Sequence, residues 1–172
     1  MREAVLTIAA VANLTLIDAI VKRIASALFS KGAVSAIDGF FNLAYVENRG
    51  CAWGMLQGQA WPLAAFGAVA LAFIVWKRRT VFALGPKLAK SRKAKWAMHA
   101  AEVLLYSGIL DNLIDRVAHG YVIDMFDFHC GASHFPCFNM ADSYITVSVA
   151  ILIACSLFGG DAEKAEAKAA KK

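Results

Sequence analysis

A mainly α-helical, polytopic membrane protein is the fold class this sequence predicts, on three observations. The chain of 172 residues is 59% hydrophobic with a mean hydropathy of +0.54, which is more apolar surface than a soluble domain of this length buries. The apolar residues gather into four runs, 4–29, 61–76, 96–116 and 139–158, near the ~20 residues a spanning helix needs. One connection, KRRTVFALGPKLAKSRKAK, carries only positive charge, the mark of a cytoplasmic loop. The net charge of +5 therefore reflects topology. No basic groove with interleaved aromatics accompanies it, so nucleic acid is not an indicated partner.

The first run, 4–29, is too long for the apolar core of a cleaved signal peptide and shows no small-residue cleavage site before Asp18, so it reads as an uncleaved span. Asp18 and Lys22 inside it are four apart, share a helix face and form either a structural ion pair or a substrate-facing one. Residues 30–59 are too long for an idle turn. Within them, Phe40 to Val46 (FFNLAYV) has strand composition, and ENRGCAWG supplies turn residues at Asn48, Gly50 and Gly54. Trp53, Met55 and Trp61 suit a membrane interface, as anchors or as substrate contacts.

The run 61–76 is a second span, slightly short and lengthened by its flanks. After the basic loop, 96–116 heads outward and 139–158 returns, which places both termini in the cytoplasm. Residues 1–158 then form one integral-membrane domain. The tail, 159–172, alternates charge and alanine without an apolar face and reads as disordered or weakly helical. Residues 121–128, YVIDMFDF, alternate as a strand and can pair with 40–46 in a small sheet above the bundle. A strand starting at Tyr121 puts Asp124 and Phe126 on one face and Asp127, solvated, on the other.

This topology brings ENRGCAWG, the stretch from Ser107 to Phe128 and FNMADS (138–143) to one side of the membrane. Asp111, Asp115, Arg116, Asp124 and Asp127 crowd the end of an apolar run, where a charge costs roughly 2.5–3.5 kcal/mol on insertion scales, so function is the default explanation. Asp124 and Asp142 are expected to meet. Two carboxylates held together cannot both ionise, which yields an acid and a base at one pH. Such a pair can activate water against a peptide carbonyl with no covalent intermediate and no cofactor. A small transporter or proton pathway using Asp18, Lys22, Asp115 and Arg116 is the alternative from another class, and a structural assembly protein a third.

His129, Cys130, His134 and Cys137, in HCGASHFPC, are ligand types that could fill a zinc site, but their spacing fits no zinc pattern, and no metal is assigned. Structural cysteines, free or joined as Cys130–Cys137, are the expected state. Cys51 and Cys155 read as small apolar fillers. Ser143 has no histidine partner nearby in sequence, so a serine nucleophile is not favoured.

Four patches together resemble the type II, or lipoprotein, signal peptidases, membrane aspartyl proteases of bacteria. Asp18 and Lys22 look like the family's D-x-x-x-K. Asn48, Gly50, Ala52 and Gly54 look like N-x-G-x-A-x-G. Asn112, Asp115, Arg116, Gly120, Val122 and Asp124 are similar to N-x-x-D-R followed by G-x-V-x-D, and Phe138, Asn139, Ala141 and Asp142 to F-N-x-A-D. The resemblance implies four transmembrane helices topped by an extracytoplasmic β-cradle and a short amphipathic helix near Ala52 to Gly58. It implies a monomer of the bacterial inner membrane, acting near its outer face on a diacylglyceryl-modified prolipoprotein, with membrane lipid around it. Asp124 and Asp142 fall on the catalytic positions. Asn48, Gly50, Asn112, Asp115, Arg116, Asn139, Asp18 and Lys22 fall on positions that bind substrate or support the pair. Ser107 and Asp111 depart from the family's usual glycines, leaving Gly108; Asp111 can pair with Lys22 or Arg116, or face water, which is the expectation.

Overall fold

Apolar periodicity too continuous for a half-exposed soluble helix becomes, in the computed structural model, four long helices capped by a small sheet. The structure describes the backbone of residues 2–169, with side chains except at 86, 87 and from 159 onward. In order these are α1 (Arg2–Phe29), β1 (Val34–Ile37), β2 (Phe41–Asn48), a single 3-10 turn (Ala52–Gly54), α2 (Ala60–Trp76), α3 (Arg78–Val81), α4 (Pro86–Ala89), α5 (Arg92–His119), β3 (Val122–Cys130), β4 (Ser133–His134) and α6 (Met140–Ala169). The protein is thus mainly helical with one small antiparallel sheet, in strand order β1-β2-β3-β4.

α5 is the central helix and packs against α1, α2 and α6. Its ends are set by local chemistry. Ser91 caps its start by accepting from the Ala94 amide at 3.3 Å. Gly120, left-handed at φ 77°, closes its end and donates its amide to the Arg116 carbonyl. α5 and α6 approach closely because small residues line the seam: Ala101, Ser107 and Ser148 are fully buried, and Ser148 donates to the Ala101 carbonyl at 2.7 Å. A Cβ on Gly108 would strike the Ala141 carbonyl oxygen. Close contact therefore survives the Ser107 and Asp111 departures.

Outward faces of the helices are apolar. Phe66 is 74% exposed, with Val69 and Phe73 beside it on α2 and Ile8, Leu16 and Ile24 on α1. A surface of this kind, wrapped around the bundle, suits lipid. Among the described residues two helices are long and apolar enough to cross a membrane, α1 and the Met140–Phe158 part of α6; α2, at 17 residues, is a shorter apolar helix.

Several expectations are corrected. The short amphipathic helix near Ala52 to Gly58 is not present: only Ala52–Gly54 turns, and Trp53 and Leu56 both adopt positive φ, which no helix propagates through. Asp111 does not face water; it is 3% exposed and pairs with neither Lys22 nor Arg116. Its neighbour is Thr15, whose hydroxyl is also buried. β1 and β4 extend the expected two-stranded sheet at both edges. In the tail, read as disordered or weakly helical, α6 continues through Ala169, in line with the alanine content there; residues 170–172 lie outside the described residues.

Candidate active site

Asp142 is placed by the start of α6. Asn139 is the residue before the helix, and its Oδ1 accepts from the Asp142 amide at 2.9 Å while Asp142 Oδ2 accepts from the Asn139 amide at 3.3 Å. FNMADS is therefore a reciprocal capping box, with Asp in the place of the usual Glu. It holds the Asp142 carboxylate at the positive end of the helix dipole, where negative charge is favoured.

Asp124 is placed by the sheet. β2 and β3 pair antiparallel with Val46 opposite Asp124 and Asn48 opposite Val122, so the Asn48 and Asp124 side chains are diagonal neighbours on one face. Asn48 Nδ2 donates to Asp124 Oδ2 at 2.9 Å, and Asn139 Nδ2 donates to Asp124 Oδ1 at 2.7 Å. The two carboxylates are thus joined through one asparagine, whose side chain holds Asp124 and whose backbone holds Asp142. Asn112 completes the link, donating to Asp142 Oδ1 at 2.8 Å and accepting from Asn139 at 3.3 Å. Asp124 is 2% exposed. That burial, and next the Asp142 charge, pushes its carboxyl up to about 7 despite the two amide donors.

Arg116 pairs with no carboxylate within ion-pair distance among the described residues. It grips carbonyls, donating to Asn112 at 3.2 Å and to Gly50 at 3.0 Å. Gly50 donates its amide to Asn48 Oδ1 at 3.0 Å, and a Cβ there would collide with the Met55 carbonyl. The loop after β2 is therefore tied to α5 and to the residue holding Asp124.

Asp18, Lys22 and Asp115 lie apart from this group. Lys22 bridges Asp18 at 2.5 Å and Asp115 at 2.6 Å, all largely buried. Asp18 Oδ1 also accepts from the Ala141 amide at 3.2 Å, satisfying a free donor of the first turn of α6. The ion pair is thus a clamp tying α1 to α5 and to the start of α6. Arg116 points away from it, so the four residues of the relay alternative do not form one chain of contacts.

The solvated role expected for Asp127 fails. Met125 and Phe126 both donate their amides to the Phe138 carbonyl, and the β2–β3 register shifts between Leu43 and Val46. This bulge re-aims the strand, and Asp124 and Asp127 line the same cavity of about 530 Å³. Asp127 accepts from Asn42 at 3.0 Å and contacts His134 Nδ1 at 2.7 Å. Burial pushes its carboxyl up, but those hydrogen bonds outweigh it and hold it below the usual carboxylate range. His134 stood out in the sequence only as a possible zinc ligand and Asn42 only as part of a strand, so nothing there pointed to their meeting at Asp127.

A second cavity, about 550 Å³, shares Asp124 with the first and reaches Asn112, Arg116, Asp142, Thr146 and Val147. Trp53 and Phe135, edge to face at 6.1 Å, border both cavities. All four cysteines are free. Cys137 borders both cavities too, but burial pushes its thiol up to about 12, so it stays protonated and unreactive. No group of three metal-ligating side chains converges among the described residues. What remains is a carboxylate pair of unequal surroundings, one member raised and one at a helix N-terminus, an arrangement able to give and take a proton at neutral pH.

A family model described as signal peptidase (SPase) II matches residues 10–158. A Burkholderia cenocepacia protein named lipoprotein signal peptidase is 40% identical over 129 residues, 73% of this chain and 71% of its own. One of the same name from Paraburkholderia phymatum is 37% identical over 142 residues, 80% and 79% of the two chains. A bacterial membrane enzyme solved by the in meso method at 1.9 Å superposes with a TM-score of 0.69 at 29% identity, over 88% of this chain and 92% of that one.

Proposed function

The chain belongs to the signal peptidase II family of proteases, and from that premise we propose that it is an aspartyl endopeptidase of the inner membrane. Its substrate on this reading is a diacylglyceryl-modified prolipoprotein, cut on the amino side of the lipidated cysteine. The observation that carries the mechanism is Asn139, which holds Asp124 at 2.7 Å through its side chain and Asp142 at 3.3 Å through its amide.

Asp142, at the start of α6, takes a proton from a water held between the carboxylates as the water oxygen bonds to the scissile carbonyl carbon. Asp124, protonated below about pH 7, gives its proton to the carbonyl oxygen, and a neutral diol forms. In the collapse, Asp124 recovers a proton from the diol, Asp142 passes its own to the departing nitrogen, and the carbon–nitrogen bond breaks. Asn48 and Asn112 keep each carboxylate aimed, and Arg116 and Gly50 fix the loop against which an extended peptide lies. Asp18, Lys22 and Asp115 support the pair from beneath. α1, α2, α5 and α6 serve as four spans, with both termini in the cytoplasm and the sheet outside.

The test is cleavage of a diacylglyceryl-modified prolipoprotein by purified protein in detergent. Asp124→Asn and Asp142→Asn are each expected to lower the rate by about 10³-fold or more, because an amide cannot trade the proton. Asp127→Asn is expected to stay within several-fold, and a chelator to leave the wild-type rate unchanged. Retained cleavage by either of the first two variants, or chelator inhibition that zinc reverses, overturns the mechanism.

A further inference from the structure

The end of the bundle away from the two aspartates carries a third cavity, about 560 Å³, between the start of α1, α3 and the start of α5, within the ~300–1,000 Å³ typical of small-molecule sites. Four cations line it, Arg78, Arg79, Arg92 and Lys95, against two carboxylates, Glu3 and Glu102. Glu102 is spent: Arg78 grips it bidentately, the second bond at 3.0 Å, and it is buried. Arg79, Arg92 and Lys95 have no acidic partner within ion-pair distance among the described residues and are exposed. The rest of the wall is apolar, with Leu6, Phe82, Leu84 and Trp96.

Position gives the cavity its meaning. Lys95 and Asn112 lie 17 positions apart on α5, about 25 Å at 1.5 Å per residue, so the cavity is nearly one hydrocarbon thickness (~30 Å) from the aspartates. Indoles mark a headgroup level there: Trp96 is 63% exposed, and Lys77 sits over the Trp76 ring at 4.0 Å. Guanidinium forks match phosphate oxygens, while the apolar wall faces where acyl chains begin. A basic pocket between spans on the cytoplasmic side is suited to an anionic lipid, which that leaflet supplies.

We propose that this cavity binds the phosphate headgroup of an anionic glycerophospholipid of the inner leaflet through Arg79, Arg92 and Lys95, with its first methylenes against Leu6, Phe82 and Trp96. Arg78, locked on Glu102, forms the fixed wall. This inference rests on the membrane topology proposed above.

The test titrates the full chain, in neutral detergent micelles, with phosphatidylglycerol carrying brominated acyl chains, and follows tryptophan quenching. Expected is saturable quenching, much of it lost in Trp96→Phe, at least tenfold stronger binding than brominated phosphatidylcholine, and at least tenfold weakening in the triple variant Arg79→Gln, Arg92→Gln, Lys95→Gln. Prolipoprotein cleavage by the triple variant at the wild-type rate verifies that it is folded, and a variant without cleavage is replaced by the three single ones, each expected to weaken binding. Equal binding of the two lipids, or equal binding by wild type and variants, overturns the site. So does competition by inorganic phosphate at the concentration of the lipid, since the ligand is then a soluble anion. A protein released from membranes by alkaline carbonate overturns the topology itself, a failure distinct from one that stays in the bilayer and shows no lipid preference.

Discussion

Asp124 is the residue on which the proposed chemistry is most sensitive to pH. Burial, then the Asp142 charge, keeps its proton in the folded protein to about 7, against an ordinary value of 3.8. The folded state therefore holds a proton across that window that the unfolded chain has lost. Its contribution to stability is full below pH 3.8 and lost as pH rises through about 7. If Asp124 must be protonated to act, kcat/KM is expected to show an alkaline limb near pH 7. Asn48 donates to the ionised carboxylate and so lowers its pKa; Asn48→Ala is expected to move that limb to higher pH, whatever it does to the maximal rate. A pH–rate profile of the two proteins checks both. Composition and motif bring Asp124 and Asp142 forward as candidates because each closes a patch of ordered residues. They misplace Asp127 and Asp111, because the side a residue faces depends on the bulge at Met125 and Phe126 and on the packing of α5, neither of which has a local signature.

At the scale of elements, two contacts decide where α6 begins and therefore where Asp142 sits. Lys22 is one: Lys22→Met leaves Asp18 and Asp115 buried without their cation, which is expected to cost about 3–5 kcal/mol. Replacing all three by Asn, Met and Asn is expected to cost less, since no unpaired charge remains. Thermal unfolding in detergent distinguishes the two. Gly108 is the other. A Cβ there meets the Ala141 carbonyl and the Ile145 side chain, so Gly108→Ala is expected to lose about 1–3 kcal/mol to overpacking. It also pushes the capping box away from Asp124, so cleavage is expected to fall with Tm, measured on the same preparation. The four long helices were legible as apolar runs, to within four residues at the ends except at the end of α6, which runs on to Ala169. The loop after β2 was legible as turns at Asn48, Gly50 and Gly54; the short helix near Ala52 to Gly58 was implied by the resemblance alone, and the positive φ of Trp53 and Leu56 interrupts it.

For the whole molecule, the proposed four-span topology predicts opposite exposure of its two ends. Cys130 is exposed on the β3–β4 hairpin. With Cys51, Cys137 and Cys155 changed to alanine, it is expected to react with a membrane-impermeant maleimide added outside intact spheroplasts. In a cysteine-free chain, Lys93→Cys is expected to react only after lysis; the reverse pattern overturns the topology. The sequence by itself determined that this is a mainly helical protein with apolar helix faces, which end carries the positive loop, and that the aspartates gather at the opposite end. Those properties reside in composition and in one-dimensional spacing, which the hydrophobic effect and the cost of burying charge convert directly into placement. Only the tertiary structure decided that Asn139 joins the two carboxylates, that Asp18 caps α6, and that Asp127 turns toward His134. These contacts join residues 15 to 123 positions apart or hinge on a bulge, and pairing of that kind is settled when the sheet and helices pack.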